Sequence, residues 1–424
     1  MTEVQEKAKR SKVASKKVAL VSNDARDFAL ERIAEAIQAN VTDILSANHQ
    51  DIAEAKKNQL QEALIDRLTL TEERLAGIVQ SIYDVIGLSS PLQETVSTNA
   101  RPNGLVIEEV RVPLGCIATI YEARPNVTVD IAVLSIKTGN SVILRGSTST
   151  IHSNKKLVAI MKQALADTEL PEDTISLIES PDREATKYLF HAKEFVDVII
   201  PRGGKKLIDL VVRESSVPVI ETGAGNCHMY VDESADVTLS RSVIVDAKAQ
   251  RPSVCNALET LLVHKDWASK HLSCLMDDLL LNKVTVRGDE RARAIDERIV
   301  PLLEDDFDTE FLSLTLPIKV VDSVEEAVDH IDTYGTKHSE AILSEDENSV
   351  VYFMNAIDAA CVYHNASTRF TDGIEFGFGA EVGISTQKLH VRGPMGLPAL
   401  TSTKYRIKGN GQTKAQPILN TLLH

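Results

Sequence analysis

VTVDIAVLSIKTGNSVILRG, residues 127–146, decides the fold. An apolar helical run leads through the helix-breaking triplet Thr138-Gly139-Asn140 into a short strand rich in branched side chains. The same alternation continues downstream. HSNKKLVAIMKQALAD reads as a helix, TISLIE as a strand, REATKYLFHAK as a helix and FVDVIIP as a strand; KKLIDLVVRES and VPVIET repeat the pair. Apolar strands alternating with helices imply parallel βαβ units covered on both faces, the doubly wound layout of nucleotide-binding domains.

Upstream, the first ~95 residues read as helical. Leu30, Ile33, Ile37, Val41 and Ile44 recur at spacings of three and four, and Thr71 is placed to cap LTEERLAGIVQSIYDVIGL. Between residues 96 and 112 the Asn103-Gly104 pair joins two β-prone runs as a hairpin. After Tyr230 a second α/β region opens with VTLSRSVIVDAKAQ, ALETLLVH and DWASKHLSCLMDDLLL. The tail from 396 mixes β-prone and polar residues, and it is expected to pair with the hairpin or with another subunit.

Composition narrows the function. With 424 residues, two or three domains are expected. No apolar run approaches the about 20 residues of a membrane span, and the N-terminal residues show no secretory h-region, so a cytoplasmic protein without membrane attachment is expected. A formal net charge of −15 argues against nucleic-acid binding. The five cysteines are scattered without a CxxC pair, which indicates neither a disulfide framework nor a metal site.

Four segments carry candidate chemistry. In AKAQRPSVCN, Cys255 follows a proline turn between a helix and a strand; it is a candidate nucleophile or a buried structural cysteine. In YEARPNVTVD, Asn126 stands where a strand gives way to a helix, as an oxyanion donor or a helix N-cap. Arg145-Gly146-Ser147 closes a strand with a phosphate-compatible side chain, or forms a plain βα turn. Gly203-Gly204 joins a strand to a helix N-terminus flanked by Arg202, Lys205 and Lys206, as an anion site or a plain glycine turn. Neither GxGxxG nor a P-loop is present. GFGAEVGIST is better read as a loop than as a phosphate cradle.

Taken together, EARPNVTVD, KTGNSVILRG, AKAQRPSVCN, GIEFGFGAEVGIS and LHVRGPMGL resemble the γ-glutamyl phosphate reductase family, in order and over nearly the whole chain. That family belongs to the aldehyde dehydrogenase superfamily. The resemblance implies an aldehyde dehydrogenase-like α/β fold in three parts. These are an NADPH-binding domain over 1–95 and 113–230, a catalytic domain over 231–395, and a β oligomerisation flap from 96–112 with 396–424. It implies reduction of L-glutamate 5-phosphate by NADPH to the semialdehyde through a thioester on Cys255, in proline biosynthesis. A homo-oligomer and functional coupling to glutamate 5-kinase are implied too. By the same resemblance Asn126 holds the oxyanion, and Arg145, Gly146, Ser147, Gly203, Gly204 and Glu310 contact the cofactor. Arg124, Arg369 and Glu381 are the expected substrate contacts, and Glu221 is expected to play a structural rather than a water-activating part. The alternatives are reduction of another acyl phosphate, or oxidation of an aldehyde.

Overall fold

The computed structural model describes residues 2–414. The chain forms two compact units: one holds the residues up to Ile199, Ser215–Pro218 and those from Leu397 on, the other Ile200–Glu214 and Val219–Gly396.

The first unit opens with five helices, Glu3–Val18, Asn23–Ala39, Val41–Lys57, Glu62–Leu68 and Glu72–Gly87. The Thr2, Ser22 and Thr71 side chains each accept a first-turn backbone N–H, as capping requires. The apolar face expected to run from Leu30 to Ile44 is split between two helices. Asn40 breaks it, donating from Nδ2 to the Ala36 carbonyl at 2.8 Å and thereby offering the backbone an alternative to the helical ladder.

Strands Cys116–Tyr121, Ser141–Arg145, Ile175–Leu177 and Val198–Arg202 form a sheet in the order third, second, first, fourth. The first three pair in parallel, and each is buried along its whole length. Helices Pro125–Lys137 and Ile151–Leu165 provide the crossovers. Strands Thr95–Ala100, Val106–Pro113 and Thr401–Lys408 make a separate antiparallel sheet. Its hairpin turns at Gly104, where φ is +88°. The expected tail beyond residue 414 lies outside the described residues.

The second unit is built on a seven-stranded parallel sheet. Its order is Val300–Pro301, Thr285–Gly288, Thr315–Val321, Leu258–His264, Cys227–Val231, Ser339–Leu343 and Cys361–His364. Helices Val237–Ala249 and Lys265–Leu281 pack on it around Trp267, Leu272, Leu275 and Met276. VPVIET, expected as a strand, is irregular instead: Pro218 lacks an N–H and only its carbonyl is used, by Ile199. The strand in that stretch is Cys227–Val231, which begins after Gly223 and Gly225. Among the described residues no helix is long and apolar enough to cross a membrane.

Candidate active site

In the second unit, helix Val237–Ala249 ends just before the turn that carries Cys255, and the central strand Leu258–His264 starts just after it. The cysteine therefore sits on a short loop fixed at both ends. Gly225 packs so closely under that loop that a Cβ there would overlap the Cys255 carbonyl and lie 2.9 Å from its Cα. The same carbonyl accepts from the buried Cys227 thiol at 3.2 Å. Glu310 Oε1 accepts the Gly225 N–H at 2.8 Å, so the backbone under the cysteine is held from a second side.

The Cys255 side chain itself is half-buried. Burial pushes its thiol up to about 11, Arg202 opposes the rise, and Glu381 and Glu310 add to it. Glu381 is raised by burial, against the pull of Arg202, and its buried Oε2 has no hydrogen-bond partner among the described residues. Arg369 is engaged: its Nε donates to Gln250 Oε1 at 3.0 Å, and Nη1 donates to Asn256 Oδ1. Asn256 Nδ2 in turn donates to the carbonyls of Arg369 and Thr371 at 3.1 and 3.0 Å. Glu221 is half-buried, and its N–H donates to Gln387 Oε1 at 2.7 Å. Gly203 and Gly204 are exposed at the start of helix Lys205–Glu214, beside exposed Lys205 and Lys206.

Beneath the cysteine loop lies a pair that sequence reading overlooked. Lys248 Nζ and Glu259 Oε2 are 2.9 Å apart, and both side chains are fully buried. Lys248 comes from the helix before the loop and Glu259 from the strand after it. Glu259 Oε1 also accepts the Leu312 N–H at 3.1 Å, which ties the Glu310 segment to the same clamp. Burial pushes Glu259 up to about 7, against the Lys248 charge. The sequence held a signal, a carboxylate inside the otherwise apolar ALETLLVH.

The remaining candidates belong to the first unit. Asn126 is not a helix N-cap: Arg124 occupies that position, and Asn126 lies one residue inside the helix after Pro125. Its Nδ2 donates to Asp130 Oδ2 at 3.0 Å. Arg124 is exposed. Arg145 is buried rather than projecting; its Nη1 donates to the Gly146 carbonyl and its Nε has no hydrogen-bond partner among the described residues. Gly146 backs onto Asn154 and Tyr121, and Ser147 caps the next turn through the Ser149 N–H.

A thiol on a clamped loop between helix and strand, in a chain that also holds a parallel βαβ unit, agrees with the family comparison. The aldehyde dehydrogenase family model matches residues 1–295. The chain belongs to the aldehyde dehydrogenase family. As a member, it is an oxidoreductase. It is 56% identical over 414 residues to a curated γ-glutamyl phosphate reductase of Bacillus cereus, covering 98% of this chain and 100% of that one. A crystal structure of γ-glutamyl phosphate reductase from Thermotoga maritima superposes with a TM-score of 0.96 at 44% identity, covering 98% of this chain and 100% of that one. The Saccharomyces cerevisiae γ-glutamyl phosphate reductase gives 0.55 at 29%, with the same coverage. The aldehyde dehydrogenase-like fold read from the sequence is thus the observed one.

Proposed function

We propose that the chain reduces L-glutamate 5-phosphate with NADPH to L-glutamate 5-semialdehyde and inorganic phosphate, in proline biosynthesis in the cytoplasm. The carrying observation is the 56% identity, over 98% of this chain and 100% of the other, to a γ-glutamyl phosphate reductase. The fixed Cys255 loop gives that likeness a chemical centre.

The chain offers groups that fit the cofactor. Gly203 and Gly204, exposed at a helix N-terminus with two lysines, suit a pyrophosphate, and Arg145 Nε, without a partner among the described residues, suits another anionic or polar edge. Gly146, Ser147 and Glu310 complete the proposed set. In this reading the NADPH-binding part spans 1–95 and 113–230, the catalytic part spans 231–395, and 96–112 with 396–424 serves oligomerisation.

Catalysis rests on Cys255. Its thiolate attacks the acyl carbon; the oxyanion falls to Asn126 and a backbone N–H; phosphate leaves and a thioester forms. Bound NADPH supplies the two-electron reduction of that thioester. The thiohemiacetal on Cys255 then collapses to the aldehyde and releases the thiolate. Exclusion of water protects the thioester from hydrolysis, and Glu221, bound through its backbone to Gln387, is given no water-activating role. Glu381, whose Oε2 has no hydrogen-bond partner among the described residues, is matched to the substrate α-ammonium, and Arg124 and Arg369 to its carboxylate.

The test is the reverse reaction. With pyrroline-5-carboxylate as the source of semialdehyde, NADP⁺ reduction should require phosphate. It should vanish in Cys255→Ala while the circular dichroism spectrum stays that of wild type. Phosphate-independent turnover would indicate a hydrolytic aldehyde dehydrogenase instead.

A further inference from the structure

Arg202 flanks the Gly203-Gly204 turn in the sequence, and its side chain reaches Gly383. Thr222 Oγ1 donates to the Pro201 carbonyl at 3.0 Å and pins the strand end from which Arg202 projects. The guanidinium then lies over Gly383: a Cβ there would stand 2.5 Å from Arg202 Nη1, 3.0 Å from its Cζ and 2.8 Å from Thr222 Cγ2. Gly383 also has a φ of +154°, a second reason for glycine. Three residues beyond Thr222, Gly225 packs on the Cys255 backbone. Between them, the Gly223 N–H donates to the Ile384 carbonyl at 3.0 Å, holding the loop to the Gly383 segment. The loop Thr222–Gly225 therefore holds the strand end that bears Arg202 at one end and packs on the Cys255 backbone at the other.

We propose that Arg202 binds the phosphoryl group displaced from the acyl carbon, which makes the Arg202–Gly383 contact a leaving-phosphate subsite. The assignment rests on the acyl-phosphate reading above and adds the group that receives the departing charge. The electrostatics agree, because the Arg202 charge opposes the burial that raises both Cys255 and Glu381. Other cations near the sulfur are worse placed. Arg369 spends Nε and Nη1 on Gln250 and Asn256, and Arg251 is exposed. A planar guanidinium can meet two phosphate oxygens at once.

The step balances without a further reagent. The C–S bond forms as the Cys255 thiolate attacks, the bond from the acyl carbon to the phosphate oxygen breaks, and that oxygen leaves with the electron pair. The charge gained by the phosphate is met by Arg202. In reverse, a phosphate oxygen attacks the thioester carbon and the thiolate departs with the pair.

The experiment uses the whole enzyme in the oxidative direction, with inorganic phosphate varied. Arg202→Gln, Arg202→Lys and, as a control, Arg291→Gln, a surface arginine paired with Asp322, are compared with wild type for the phosphate KM, and for the burst of NADPH absorbance formed before any phosphate is added. Arg202→Gln should raise the phosphate KM at least tenfold with the burst amplitude kept, Arg202→Lys should raise it less, and Arg291→Gln should leave it within about twofold. An unchanged phosphate KM in a folded Arg202→Gln protein overturns the assignment. So does loss of the burst, which would place Arg202 in thiolate formation. If Arg202→Gln does not fold, the lysine variant carries the same two readouts. A wild-type enzyme indifferent to phosphate would instead sink the acyl-phosphate reading itself.

Discussion

At the scale of single residues, the resting thiol is held neutral. A free cysteine ionises near about 8.5, whereas Cys255 is pushed up to about 11 by burial, with Glu381 and Glu310 reinforcing and Arg202 resisting. In the proposed reaction, cationic and N–H groups around the bound acyl phosphate must therefore offset first the burial of the thiol and then those two carboxylates. In the ligand-free protein, alkylation of Cys255 by iodoacetamide, followed by mass spectrometry, should rise with pH through about 11. Removing a negative neighbour in Glu381→Gln should move the inflection downward; an unmoved inflection would disprove the influence of Glu381. The place of Cys255 on a turn between helix and strand was legible in AKAQRPSVCN and the apolar run after it, because Pro252 cannot continue the helix. Nothing in VIIPRGG tells that the Arg202 side chain reaches Gly383, because that contact joins segments about 180 residues apart.

At the scale of elements, the cysteine loop is immobilised by absences and by a salt bridge. Gly225→Ala would drive a methyl group into the Cys255 carbonyl. Overpacking of this kind costs about 1–3 kcal/mol, and the displaced loop should lose at least a hundredfold in kcat. Equilibrium urea unfolding and steady-state rates would separate the two effects. Breaking the buried Lys248–Glu259 pair from one side strands a charge. Lys248→Met should therefore lose about 3–5 kcal/mol, whereas Lys248→Met combined with Glu259→Leu should recover most of it. A double variant no more stable than the single one would deny the coupling. The alternation of helices and strands was readable because fully buried parallel strands are continuous apolar runs, such as SVILR and LETLLVH. VPVIET misled for the same reason: its composition is that of a strand, and only the missing amide of Pro218 and the glycines beyond it tell otherwise.

Over the whole molecule, two kinds of group set the response to acid and to association. His338 and His330 are buried, and burial lowers them to about 4 and about 3. Their folded values lie below the 6.5 of a free imidazole, so an unfolded chain takes up protons that the folded one refuses. Stability from this source is complete above that value and drains away as the pH falls toward 4 and then 3. Urea midpoints measured from pH 7 to 4 should fall, and His338→Gln should flatten the slope. The antiparallel sheet behaves differently. Its strand Thr95–Ala100 is exposed throughout, and Tyr405 and Ile407 are 65% and 61% exposed. An open edge with uncovered apolar side chains suits pairing with a second copy of the chain. Sedimentation of a Tyr405→Asp, Ile407→Asp variant should show a smaller species than wild type.

That sheet also imposes a timetable on synthesis. Val106–Pro113 can pair with Thr95–Ala100 soon after leaving the ribosome, but its other neighbour, beginning at Thr401, emerges about 290 residues after Pro113. At about 5–20 residues per second the nascent chain carries an unzipped edge for roughly a quarter of a minute to a minute. A growing polypeptide in that interval is a natural client for chaperones. Translation halted shortly before Thr401 should yield a product that clumps, although both compact units' parallel sheets have already been made.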